Sequence, residues 1–447
     1  MGGIKMNLWL PSIFSDYMVV QQDEPIVIWG KAEKNTSVRI YLNDRETDIA
    51  TDEDGCWKTD LAPLPVGKSY TMTIQAGDEQ KVIKDILSGE VWYASGQSNM
   101  ELTLSRLARR DDIKEVLKDA EFPSLRLFKT ERRGATDMLE NDVGGSWALS
   151  TVETAGNFSA VAYIFGAMLA RRLNVPVGII VSAVGATSIQ AWMKRELPAT
   201  LYTRSNGALE RRGNFYYGMV AGLQPYRIKG MLWYQGENNA VWFDAREYGI
   251  LMQAFIDDTR REFQNPQLPF LFVQLPAFEA RGGNWGWRDF VSLRYEQAKI
   301  AKIVPHTGMA VTIDLGEEKN IHPGDKYPVA ERLYRLAMHQ VYQMEEFAGF
   351  PSFSRLEKKE DCVHVLFDHC GMGLVTLNDT EIFDFEVSGL DGIFRPVTAT
   401  IIGPDTVRIP VVEKICAVRY AWKNWIRPVL FNKEGYPAAP FWHQVME

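Results

Sequence analysis

Residues 90–101, Glu-Val-Trp-Tyr-Ala-Ser-Gly-Gln-Ser-Asn-Met-Glu, change character within a dozen positions. Val91 to Ala94 are apolar and aromatic, the pattern of a short buried strand. Ser95-Gly96-Gln97 break that run, and from Glu101 the spacing of Leu102, Leu104 and Leu107 becomes helical. Ser98 therefore falls on a seam between a strand's carboxyl end and a helix's amino end. Open α/β sheets place their ligand crevices at that edge, and N–H groups at a helix start can hold an oxyanion. The run is not the Gly-x-Ser-x-Gly elbow, because Met100 stands in place of the second glycine. On this stretch alone a serine that caps the helix is the plainer reading. The remainder of the chain has to decide.

Upstream of the seam, residues 1–88 read as an N-terminal, β-sandwich-like domain. Ile26–Gly30, Ser37–Leu42, Tyr70–Gln75 and Lys81–Ile86 are short β-branched runs separated by turn clusters such as Asp52-Glu-Asp-Gly55. Residues 89–345 alternate strands with longer helical patterns, the mark of an α/β domain with a mostly parallel sheet. Its strands are expected at Val177–Ala183, Gly230–Tyr234, Pro269–Leu275 and Met309–Leu315. Its helices are expected at Val161–Leu173, Tyr248–Phe263 and roughly 327–342. Residues 346–447 return to β texture, with strands expected at Val363–Phe367, Ile382–Val387, Ala399–Ile402, Val407–Val411 and Cys416–Ala421. A chain of 447 residues suits about three such domains.

A nucleophilic serine needs a base, and histidine is the usual one. The chain has six histidines. His339 lies in a helical pattern, His306 precedes a strand, His364 and His369 belong to the C-terminal β region, and His443 stands near the end. His322, in Asn320-Ile-His-Pro323, falls in a loop between a core strand and the next helix, on the same sheet edge as Ser98. A loop histidine with a structural hydrogen bond fits that position as well.

The imidazole needs an orienting carboxylate. Lys319 stands three residues before His322, so a local Asp-x-x-His pair is absent. Glu237 and Asp314 remain as strand-end acids, while Glu317 and Glu318 read as solvated loop. Glu237 is preferred, because it lies in a different strand-end loop and follows the chain order serine, acid, histidine. Asp314 is the alternative, equally suited to bracing the loop of His322. Three oxyanion donors fall on the same edge: the N–H groups of Ser98 and Gly185, and the side-chain amide of Gln235.

Other chemistries are poorly supplied. The net charge of −8 and the lack of a basic stripe argue against a nucleic-acid partner. No run of about 18 apolar residues exists to span a membrane. Cys362-x-His364 and His369-Cys370 alternate with buried-strand residues, so no metal is expected there. No glycine-rich phosphate signature occurs and no cofactor is expected.

The blocks Gly96-Gln-Ser-Asn-Met100, Val184-Gly-Ala-Thr187 with Ala191-Trp192, Trp233-Tyr-Gln-Gly-Glu237 and Ile321-His-Pro323 resemble those of sialate O-acetylesterases. These belong to the SGNH hydrolase superfamily, beside carbohydrate acetyl esterases that act on xylan. The likeness extends to Met18-Val-Val-Gln-Gln-Asp-Glu-Pro and to Arg419-Tyr-Ala-Trp422 with Pro440-Phe441. It implies an SGNH-type, flavodoxin-like α/β sheet with helices on both faces, flanked by all-β regions. It also implies a serine esterase releasing O-acetyl groups from sialic acid, with Ser98 as nucleophile, His322 as base, and Gly185 and Gln235 as oxyanion donors. Related acetyl esterases support Glu237 as the acid.

Acetylated xylan or another plant glycan is the alternative substrate, and an inactive carbohydrate-binding protein the alternative class. Two departures stand out. Asn320 replaces the family's frequent aspartate, which leaves the acid open and admits a Ser–His dyad. Ala186 replaces a glycine, which bears on the acyl or sugar pocket. The protein is expected to be exported, periplasmic or extracellular, with a signal peptide absent from this sequence.

Overall fold

The computed structural model describes residues 7–134, 142–194, 212–242, 245–279, 288–344, 346–347, 349–377, 381–410 and 415–445. Its folded mass divides into two compact units. The first comprises residues up to Trp233, broken in the region of 201–204, together with Ala254–Phe270. The second comprises Tyr234–Gln253 and the chain from Leu271 onward.

The first unit is built on one strand, Glu79–Gly96. Its first half belongs to an antiparallel β layer in the order Arg45–Ala50, Ser37–Leu42, Tyr70–Ala76, Glu79–Gly96. Ser37–Leu42 alternates strictly between exposed and buried, the signature of a sheet with one wet face. A separate antiparallel pair, Ile26–Lys31 with Cys56–Leu61, completes this β region. From Ser88 to Gly96 every residue is buried. Here the strand gains parallel partners, Val19–Gln21 and Val177–Ala183, the latter itself parallel to Leu125–Lys129. A strand covered on both faces has to be continuously apolar, and Val91-Trp-Tyr-Ala94 is. On its other side runs Gly230–Tyr234, beginning with the bond from the Lys229 N–H to the Val91 carbonyl at 2.7 Å.

The expected boundary at 88/89 thus falls inside a continuous strand. Lys81–Ile86 and Val91–Ala94 look separate in sequence because a one-faced strand and a two-faced strand have different patterns. The join between them is held by side chains. The Gln21 side chain accepts from the Val91 N–H at 2.9 Å, and Gln21 and Gln22 both donate to the buried Glu90 carboxylate at 3.3 and 2.6 Å. The helix Ala160–Leu173 packs on this sheet. It is capped by Ser159, which accepts from the Ala162 N–H, and it ends where Asn174 turns left-handed at φ 54°.

In the second unit, the segment following Phe270–Val273 bonds to the strand Thr307–Ala310, through the Gln274 N–H and the Ala310 carbonyl at 2.9 Å. The strand expected over 309–315 ends at Ala310, and Ile313–Leu315 form a 3-10 turn instead. Helices Phe290–Ile303 and Lys326–Gln340 follow their strands. The C-terminal part is all-β. Among the described residues it forms an antiparallel sheet in the order Ser352–Lys358, Cys362–Asp368, Thr406–Pro410, Phe394–Ile401, Ile382–Ser388, Ala417–Tyr420, Phe441–Gln444. Val411, expected in one of these strands, lies outside the described residues. The protein is therefore a mixed α/β chain with a sheet containing parallel strands and an all-β C-terminal region. No helix among the described residues is long and apolar enough to cross a membrane.

The clamp at residue 90 gives the first prediction. Gln21→Ala removes the acceptor of a buried N–H and a donor to a buried carboxylate, and is expected to cost about 1–3 kcal/mol in chemical denaturation.

Candidate active site

Ser98 is carried by the first unit. Gly96 leaves the strand at φ 145°, a conformation suited to glycine, and Gln97 forms the amino cap of a one-turn helix, Ser98–Glu101. Ser98 is the first helical residue and not the cap. The helix expected from Glu101 onward is not there: the turn ends at Glu101, and Ser105–Leu107 form a separate 3-10 turn, so the leucine spacing reflects burial and not an α-helix. Between Val91 and Met100 only Ser98 is not fully buried.

The chain following the parallel strand Val177–Ala183 passes directly against it. A Cβ placed on Gly185 would lie 3.3 Å from the Ser98 Cβ and 3.2 Å from Glu101 Oε2, so glycine is what lets the backbone come this close. Gly185 donates its N–H to Glu101 Oε2 at 2.7 Å. Glu101 is a contact that sequence reasoning missed; its only signal was an acid three residues after the serine. The loop beyond is stapled by Thr187, whose hydroxyl donates to the Val184 carbonyl at 2.8 Å and accepts from the Trp192 indole at 3.0 Å. Ala186 holds φ 61°, in the left-handed region where an alanine is strained.

The other candidate residues belong to the second unit. Gln235 is fully buried. The Tyr248 hydroxyl donates to its Oε1 at 2.9 Å, which makes Nε2 the donor end, and Nε2 donates to Asn239 Oδ1 at 2.8 Å. Asn239 lies one helical turn beyond Gln235, a spacing that would have found it; Tyr248 is a tertiary contact that no spacing shows.

Glu237, also buried, opens the helix Glu237–Trp242. Its charge acts on two neighbours. It adds to the burial that drives the Tyr234 phenol well above its ordinary pKa, and it pulls upward on the Lys326 ammonium. Lys326 lies 5.2 Å from the centroid of the Tyr234 ring. Burial lowers its pKa from 10.5 to about 7, against the opposing pull of Glu237, Glu317 and Asp325. Sequence reasoning did not single out this lysine, four residues after His322.

His322 lies in an exposed loop whose backbone is clamped by one side chain. Asn320 accepts from the His322 N–H at 3.0 Å and donates to the His322 carbonyl at 3.0 Å. The same amide nitrogen donates to Glu317 Oε2 at 3.1 Å, and Glu317 Oε1 accepts from the Gly324 N–H at 3.0 Å. An aspartate at 320 has no donor for the His322 carbonyl, so the asparagine suits a backbone brace. Glu317 is exposed, as its sequence reading has it, and is also part of that brace. Asp314 forms a forked pair with Arg332, 2.6 Å on each oxygen, and Arg332 also donates to the Val311 carbonyl at 2.6 Å. This pair ties the 3-10 turn to the helix Lys326–Gln340. Among the described residues, no group of three or more His, Cys, Asp or Glu gathers to hold a metal.

Two predictions follow from these local geometries. Ala186→Gly removes the left-handed strain and is expected to stabilise by up to about 1 kcal/mol in denaturant titration. Lys326 releases its proton more easily folded than unfolded. Between about pH 7 and 10.5 the unfolded chain then binds the extra proton, so stability rises with pH across that window. Lys326→Met should flatten this rise when denaturation midpoints are measured against pH.

Comparison with known proteins bears on what these residues do. The chain is similar to a carbohydrate acetylesterase from Xanthomonas citri of known structure, with 32% identity and a TM-score of 0.89, over 98% of this chain and all of that one. It is 26% identical to the sialate O-acetylesterase of Mus musculus, over 97% of this chain and 94% of the mouse protein. It is equally similar to that of Homo sapiens, at 26% over 96% and 92% of the two chains. The protein is thus an ester hydrolase of the carbohydrate acetylesterase kind, with an acetylated carbohydrate as substrate. The family model described as carbohydrate esterase, sialic acid-specific acetylesterase, matches residues 88–327, more than half of the sequence and the whole stretch from Ser98 to His322, and the chain belongs to that family.

Proposed function

We propose that the protein removes O-acetyl groups from sialic acid through an acetyl-enzyme intermediate formed on Ser98. In this reading its α/β part is a flavodoxin-like sheet of the SGNH type with helices on both faces, and the protein works after export. Ser98 Oγ attacks the acetyl carbonyl carbon while His322 takes its proton. The oxyanion is received by the N–H groups of Ser98 and Gly185 and by the side-chain amide of Gln235. The bond to the sugar oxygen breaks as His322 returns the proton to it. Water then attacks the acetyl group with His322 as base, and acetate leaves Ser98 free.

Glu237 is assigned as the carboxylate that orients the imidazole. Asp314 is the weaker candidate, because its oxygens already serve Arg332 in a forked pair. The single observation that carries the reading is the approach of Gly185 to Ser98. A nucleophile at a helix start, with a neighbouring loop brought so close that glycine leaves the space beside it, is an arrangement that makes room for an acyl group. A second reading is acetyl release from xylan or another plant glycan, since the relative from Xanthomonas citri, at 32% identity, is a carbohydrate acetylesterase of unstated sugar.

Acetate release from O-acetylated sialic acid and from acetylated xylo-oligosaccharide, measured side by side, separates the two readings. Ser98→Ala is expected to lower kcat by about 10³-fold or more with the fold intact. Unchanged turnover would remove Ser98 from the mechanism. Glu237→Gln is expected to reduce kcat with little change in stability. Asp314→Asn is expected to cost about 3–5 kcal/mol of stability, by leaving Arg332 without its partner. The reverse pattern would reassign the acid.

A further inference from the structure

The second unit contains a cleft that the ester chemistry does not use. Its volume is about 440 Å³, within the range of small-molecule pockets, about 300–1,000 Å³. Its walls are the helix Phe290–Ile303, the end of the helix Lys326–Gln340, and the two sheet strands Ser352–Lys358 and Phe441–Gln444. None of Gln235, Glu237, His322 and Lys326 lines it.

The inner wall is aromatic. Tyr295, Phe353 and Trp442 are each half-buried, with part of the ring left to the cleft. Tyr295 stands edge-on to Trp442, with centroids 6.3 Å apart, and Phe353 tilts against His443 at 4.8 Å. The rim is basic. Lys299, Lys302, His339 and His369 are exposed there, and Asp368 is the only carboxylate among the described lining residues. Lys299 is paired with Glu296 at 2.9 Å. Lys302 lies 6.0 Å from the Phe353 centroid and has no carboxylate within ion-pair distance among the described residues. Burial and the Lys302 charge together hold the His443 imidazole below its ordinary pKa. Ser352, Ser354 and Gln340 add hydrogen-bonding groups between wall and rim.

Lys302, at the rim and without an ion-pair partner among the described residues, offers an anion a place to bind. Flat rings behind it select for a ligand with an apolar face, and hydroxyl and amide groups suit a polyol. A simple anion uses the first feature alone and a neutral sugar the last two. We propose that this cleft binds a monocarboxylated sugar, its ring packed by the C–H face on Trp442 and Tyr295 and its carboxylate directed to Lys302. The site stands independently of the Ser98 mechanism.

The test is isothermal titration of the full chain with D-glucuronate, D-glucose and inorganic phosphate. Hydrolysis of 4-nitrophenyl acetate serves as a separate readout of the esterase. Glucuronate is expected to bind at least about tenfold more tightly than either glucose or phosphate. Lys302→Glu and Trp442→Ala are each expected to weaken it at least about tenfold while 4-nitrophenyl acetate turnover is unchanged. Lys302 is exposed and its variant is expected to fold, so that variant alone decides if Trp442→Ala does not. The proposal is overturned by absent glucuronate binding, by glucose or phosphate binding as tightly, or by full glucuronate affinity in Lys302→Glu. Loss of 4-nitrophenyl acetate turnover in Lys302→Glu would also overturn it, by placing the residue in the esterase site.

Discussion

A strand that is half-wet for its first part and buried on both faces for its second has to be pinned where the two regimes meet. In Glu79–Gly96 the pin is Glu90, a carboxylate only 1% exposed at the start of the buried stretch. A buried charge is tolerable only when hydrogen-bonded, and Gln21 and Gln22 supply bonds from a neighbouring segment. The same Gln21 closes the bond to the Val91 N–H, so the register of the parallel strand Val19–Gln21 and the entry of the core strand are set together. The position of Ser98 follows from this. Seven residues of continuously paired strand, Glu90 to Gly96, fix its height, and the parallel pairing Ala183↔Gly96 brings the loop with Gly185 to the same level.

Much of this was legible in the sequence, because it depends on local pattern. Val177–Ala183 is a strand at the predicted bounds, and the helix Ala160–Leu173 stops where Asn174 and Pro176 say it should. The C-terminal β region also reads correctly as β. What failed was local pattern at changes of regime. The core strand looked like two strands, and the polar turn carrying Asp314 looked like a continuation of Thr307–Ala310. The Arg332 pairing that decides the second case lies 18 residues away, on the next helix. Arg45–Ala50, with three charged side chains in six residues, gave no strand signal at all; it is a strand because Ser37–Leu42 pairs with it.

The candidate site shows the same division. Ser98, Gly185, Gln235, Glu237 and His322 are visible from residue type and place in the strand–loop–helix rhythm. Their supports are mostly tertiary. Tyr248 orients Gln235, and Lys326 and Tyr234 share the buried surroundings of Glu237. Glu237 pulls the Lys326 ammonium upward against the burial that draws it down to about 7.

Gly185 poses the sharpest energetic question. Its N–H is held by Glu101 Oε2 at 2.7 Å, a charge-assisted bond of about 1.5–3 kcal/mol. An oxyanion donor contributes about 2.7–4 kcal/mol to the transition state in acyl transfer. Two anions cannot share one N–H, so using Gly185 for the oxyanion first costs most of what it returns. In the absence of substrate Glu101 satisfies a polar group that glycine leaves open beside the nucleophile. With substrate bound, the net gain from Gly185 is small unless the Glu101 carboxylate finds another donor as it withdraws. On these magnitudes the Ser98 N–H and the Gln235 amide carry most of the oxyanion stabilisation in the proposed mechanism. Gly185 then matters chiefly because its missing side chain leaves room for an acetyl group next to Ser98.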